Sequence, residues 1–104
     1  MTINDPKLDE IVRRIVDAVH PTKIYLFGSR ARGEAEEDSD YDFLIIYDGQ
    51  LSKREVKLAV RRGFGLVDFG MDMFVLSSAE YEWQKDVATT LGMEVSLTGQ
   101  VVYG

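Results

Sequence analysis

The chain has 104 residues and a mass of 11.8 kDa, room for one domain of ordinary size with a single modest core. Hydrophobic residues make up 45% and charged residues 29%. That is a globular balance, with no run of about 18 apolar residues to span a membrane and no basic-then-apolar leader. A chain without cysteine has no disulfide, thiolate metal site or thiol nucleophile, so a cytoplasmic setting is expected.

The 12 basic and 18 acidic side chains give a net charge of −6. The excess is local. Glu34, Glu36, Glu37, Asp38, Asp40 and Asp42 crowd into one short stretch, and outside it acids and bases balance. An acidic chain neutralises phosphate poorly, so direct nucleic-acid binding is not expected. A local acid cluster instead suits divalent cations.

In chain order, Leu8, Ile11, Val12, Ile15, Val16 and Val19 form one apolar helical stripe. Asp5-Pro6 caps its start and His20-Pro21 ends it. Lys23 to Phe27 reads as a buried strand, broken at Gly28-Ser29, with a short helix expected from Arg30. Glu34 to Ser39 is a polar loop. Tyr41 to Tyr47 is a second strand, rich in aromatic and β-branched residues. Ser52 to Arg62 is a helix with Val56, Ala59 and Val60 inward. Its basic residues Lys53, Arg54, Lys57, Arg61 and Arg62 make a solvated face, or a surface for phosphate or an acidic partner. Met71 to Leu76 is a third strand. A helix capped by Ser77 or Ser78 runs to about Leu91, with Tyr81 and Trp83 assigned to packing. Val101 to Tyr103 adds a last strand. The expected fold is α/β (α+β), in the order α-β-α-β-α-β-α-β, with a small mixed or parallel sheet against helices.

Three features bear on chemistry. Gly28-Ser29 follows an apolar strand, where glycine lets backbone approach a ligand, and free N–H groups at a helix start favour a phosphate. Arg30 and Arg32 add positive charge. A plain turn is the simpler reading of that segment alone. Asp40 and Asp42 are two apart and share one strand face. Their mutual repulsion is relieved by a cation or, if both face water, by solvent. Asp72 is a carboxylate in an apolar strand and needs a partner or a metal; Asp68 competes for that role from a glycine-rich stretch of unclear register. Asp38, Asp40 and Asp42 also fit the first positions of an EF-hand loop, but Phe43 and Gly49 stand where Gly and Glu are required. His20 suits a helix end rather than catalysis.

The run Gly28-Ser29-Arg30-Ala31-Arg32-Gly33, followed after ten intervening residues from Ser29 by Asp40-Tyr41-Asp42, resembles the signature of the DNA polymerase β-type nucleotidyltransferase superfamily. Ala31-Arg32-Gly33, with Ser39 before Asp40, is similar to its minimal nucleotidyltransferase (MNT) branch. The resemblance implies the polymerase β-like fold and a single minimal nucleotidyltransferase domain over residues 1–104. It implies that Gly28 and Ser29, with Arg30 and Arg32 nearby, hold the phosphates of a nucleotide, with ATP as donor. It further implies that Asp40, Asp42 and Asp72 bind two Mg²⁺ ions, with Asp72 assisting the acceptor hydroxyl. Larger members carry an acceptor-binding domain for which this chain has no length. MNT proteins resemble antitoxins that pair with HEPN-type toxins, so AMP transfer to a hydroxyl of such a partner is the implied function. A non-catalytic antitoxin that masks its partner and a small-molecule, aminoglycoside-type transferase subunit are the alternatives.

Overall fold

A computed structural model describes residues 5–34, 39–65, 67 and 69–104. Glu36, Glu37, Asp38 and Asp68, all weighed above, lie outside the described residues.

Helix α1, Pro6–Val19, starts where the sequence places it. The Asp5 carboxylate accepts from the N–H groups of Lys7 and Leu8, and Pro6 occupies the first turn. His20 closes it in the left-handed region at φ 50°, its N–H donating to the Val16 carbonyl. Strands β1 (Lys23–Phe27) and β2 (Tyr41–Ile46) follow, then α2 (Lys53–Phe64), β3 (Met71–Leu76), α3 (Ser78–Gln84), α4 (Leu91–Thr98) and β4 (Gln100–Tyr103). Reciprocal capping boxes, Ser52 with Glu55 and Ser77 with Glu80, start α2 and α3.

Two expectations are corrected. No helix forms after β1. Residues 28–34 close instead as one hydrogen-bonded turn, in which Arg32, Gly33 and Glu34 donate to the carbonyls of Gly28, Arg30 and Ser29. The final helix is two helices rather than one. Thr89 takes φ 67°, and the Thr90 hydroxyl accepts from Met93 N–H while donating to the carbonyls of Gln84 and Val87. That side chain ends one helical path and caps the next.

The four-stranded sheet is mixed, in the order β3-β2-β1-β4. β1 is antiparallel to both β2 and β4, and β2 is parallel to β3. Both faces are covered, which explains the unbroken apolar run of β2. Phe43 and Ile45 join Ile11, Ile15, Val56 and Val60 on the face under α1 and α2. Leu44 and Ile46 join Phe27, Leu76 and Val95 on the face under α4. Trp83 is 65% exposed, so it is not a core residue. No described helix is long and apolar enough to cross a membrane.

Candidate functional site

β2 and β3 are parallel, so both begin at the same end of the sheet, and the antiparallel β1 finishes there. In this register Asp42 is the partner of Asp72 on one side and of Phe27 on the other. Two-residue alternation then puts Asp42 and Asp72 on the face that carries Leu44 and Ile46, toward α4. The flanking Met71 and Met73 pack on the opposite face.

The turn after β1 lies against Asp42. Gly28 holds φ +76°, and a Cβ there would overlap Asp42 Oδ2 and lie 3.2 Å from its Cγ. The missing side chain is therefore what lets the backbone of Gly28-Ser29 lie against the carboxylate. Asp40 sits just before β2 and is exposed, its carboxylate against Gly70, where a Cβ would overlap Oδ1. The Tyr41 N–H donates to the Gly70 carbonyl at 3.0 Å, which ties the Asp40 segment to the start of β3.

Asp42 is partly buried while Asp40 and Asp72 are exposed. Burial pushes the Asp42 carboxyl above the usual carboxylate range. The charges of Asp72, Asp40 and Glu94 push it further, against a smaller opposite pull from Arg32. Arg32 is exposed and pairs with Glu34 at 3.1 Å. Arg30 lies differently from a phosphate ligand. Its guanidinium stacks 4.0 Å above the Tyr41 ring and donates to the Ser39 carbonyl from Nε at 2.9 Å and from Nη2 at 2.6 Å. The Tyr41 hydroxyl in turn donates to Asp5 at 3.2 Å. This chain of contacts fixes the residues on both sides of Asp40.

Several of these residues leave no local signal in the sequence. The charge of Glu94 on α4 acts on Asp42, and the Gln100 amide donates to the Ala31 carbonyl at 2.6 Å across 69 residues of chain. The Arg30–Tyr41 stack is the exception, because an arginine after a turn and an aromatic at a strand start are visible once the two segments are known to meet. Replacing Arg30 with Ala is expected to lower unfolding free energy by about 2 kcal/mol, the scale of a charged hydrogen-bond pair plus a cation–π contact. Lysine should restore only part of it, since it lacks the planar fork. Denaturant titration measures both.

The donor set is chemically suited to a hard divalent cation: carboxylate oxygens only, with no sulfur or imidazole, around an Asp42 whose charge is already disfavoured by its neighbours. Among the described residues no three such groups stand close enough to form a finished cage.

A family model described as a nucleotidyltransferase domain matches residues 6–97. No curated protein is significantly similar to the chain. Among solved structures, a toxin–antitoxin with AMP-PNP is 23% identical with a TM-score of 0.58, covering 92% of this chain and 73% of that one. A putative nucleotidyltransferase from Sulfolobus solfataricus is 24% identical with a TM-score of 0.58, covering 90% and 74%. A mutant of the toxin–antitoxin MntA-HpeT is 24% identical with a TM-score of 0.53, covering 99% and 74%. At these identities the likeness is one of fold.

Proposed function

The chain belongs to the nucleotidyltransferase domain family, and from that premise we propose that it transfers AMP from ATP to a hydroxyl of a partner protein, as the antitoxin of a HEPN-type toxin. One observation carries the reading: Asp42 and Asp72 are register partners at one sheet end, with the Gly28 backbone lying against Asp42.

On this reading the Gly28-Ser29 backbone and the Ser29 hydroxyl receive the terminal phosphates, and Arg32 supplies positive charge at the rim. Asp40, Asp42 and Asp72 would hold two Mg²⁺ ions, which when bound neutralise phosphate charge and stabilise the attacking and leaving oxygens. Asp72 accepts a hydrogen bond from the acceptor hydroxyl, orients it and takes its proton as the oxygen bonds to the α-phosphorus, the bond from that phosphorus to the β-phosphate oxygen breaks and pyrophosphate leaves. Arg30 and Tyr41 keep the Asp40 segment in place. Phosphoryl-type transfers need positioning and charge stabilisation more than covalent help from protein, so a few side chains on a small sheet suffice.

The position of Asp72 favours a macromolecular acceptor. It is exposed and sits on β3, the edge strand, so a hydroxyl on another protein surface can reach it without entering a pocket. Two of the similar structures are toxin–antitoxins, one of them with AMP-PNP, which supports the antitoxin role and an adenine nucleotide.

Incubation with ATP labelled at the α-phosphate, Mg²⁺ and the protein encoded by the adjacent gene tests the reading. Label on that protein, lost with Asp40→Asn plus Asp42→Asn, is the expected result. Unlabelled but still neutralised partner would move the function to masking. That second reading draws on the incomplete carboxylate cage.

A further inference from the structure

We infer that the outer face of α2, together with the cleft at its C-terminal end, is a docking surface for an acidic protein segment carrying one apolar anchor. It lies under the opposite sheet face from Asp42 and Asp72, and the inference stands apart from the transfer chemistry.

The charge on α2 is not that of an ordinary solvated helix. In α1, Glu10 pairs with Arg13 and Arg14, and Glu82 of α3 pairs with Lys85. Within α2 the one acid, Glu55, is held by the backbone N–H of Ser52 in the capping box. Lys53 reaches out to Glu80. Arg54, Lys57, Arg61 and Arg62 make no ion pair among the described residues. Lys53, Lys57 and Arg61 recur every fourth position, where like charges repel along a helix. The cations of α2 other than Lys53 have no acidic partner among the described residues, and an acidic segment of another molecule complements them. Leu58, 39% exposed in the middle of these cations, gives the face an apolar strip.

The cleft supplies the anchor site. Where α2 ends against α1, a hollow of about 470 Å³ is lined by Ile11, Phe64, Val67 and Phe69, with Lys7, Glu10 and Arg14 as its polar wall, and there Glu10 pairs with Arg14. Val67 is 47% exposed. The Lys7 amine lies 4.8 Å from the Phe69 ring and the Arg14 guanidinium 5.6 Å from the Phe64 ring. The rings are covered by these side chains rather than open for base stacking, so the cleft offers the apolar anchor site while the cations of α2 supply the charge. An apolar centre within a charged rim is the anatomy of a protein interface.

The test titrates the isotope-labelled chain with a synthetic Glu-rich peptide bearing a single Phe, followed by NMR. Shifts confined to the outer face of α2 and the cleft are expected, with affinity falling as salt rises. Replacing the peptide's Phe with Ser should weaken binding at least about tenfold, the scale of one buried aromatic side chain. Arg54→Gln with Arg61→Gln should abolish the shifts while the circular dichroism spectrum stays unchanged. No shifts, shifts mapping elsewhere, or equal binding of the Ser peptide would overturn the inference. So would tighter binding of an oligouridylate or of phosphatidylserine vesicles than of the peptide.

Discussion

Asp42→Asn is expected to lower the rate of nucleotidyl transfer by about 10³-fold, the scale of removing a group that organises transition-state charge, and at the same time to melt at a higher temperature than the wild type in EDTA at neutral pH. The two effects have one origin. The Asp42 carboxyl is held above its ordinary value of 3.8, first by burial and then by Asp72, Asp40 and Glu94. A carboxyl whose folded pKa is raised binds its proton more tightly in the folded than in the unfolded state. Stability therefore falls as pH rises from the unfolded value through the folded one. Asparagine keeps the shape and carries no charge. Its advantage should be absent below about pH 3.8, where Asp42 is neutral in both states, and complete above the folded pKa. Mg²⁺ should reverse the order, raising the melting temperature of the wild type and leaving the variant unmoved, because only the wild type gains ligand-linked stability. Thermal melts across pH, with and without Mg²⁺, measure this. A variant less stable than the wild type in EDTA would mean that Asp42 is held by favourable contacts.

The same tension between local pattern and charge makes the candidate carboxylates legible in the sequence. Asp40 just before an apolar strand, Asp42 at its second position and Asp72 inside another break the local pattern. A residue that breaks the pattern without a visible partner points to a site. The elements were readable wherever period and caps agreed. The stripe from Leu8 to Val19 sits between Asp5-Pro6 and His20-Pro21, and the helix is Pro6–Val19. The unbroken run from Phe43 to Ile46 is a strand buried on both faces.

The misses have physical reasons too. Between Ser77 and Thr98 no proline marks the break, and Thr90 ends one helix by reaching back to Gln84 and Val87, contacts that depend on the path being broken already. The turn at Arg30 fails to become a helix because Gly33 adopts φ +75° and Gln100 holds the Ala31 carbonyl from β4. That last contact crosses most of the chain, and no local window contains it. The same holds for Glu94, whose charge acts on Asp42 because α4 folds back onto the sheet face of Leu44 and Ile46.

Gly28→Ala separates the demand of the site from the demand of the backbone. Gly28 and Gly33 both hold positive φ, +76° and +75°, within one turn. Alanine at either position meets the same left-handed penalty, about 1–2 kcal/mol. Their surroundings differ completely. A Cβ at Gly33 meets nothing within 4 Å, whereas one at Gly28 would overlap Asp42 Oδ2. Both variants should therefore lose a similar amount of stability from strain alone, with Gly28→Ala losing more from the clash. Only Gly28→Ala should lose transfer activity, by about 100-fold, because displacing a positioned group by even an ångström has that effect on rate. Gly33→Asn should recover stability, since asparagine tolerates the left-handed region. Gly28→Asn should recover neither property, because its Cβ meets the same oxygen. Urea unfolding gives the strain shared by the two positions, and initial transfer rates give the difference between them. Equal activity in the two alanine variants would place the phosphates away from this turn and take Gly28 out of the site.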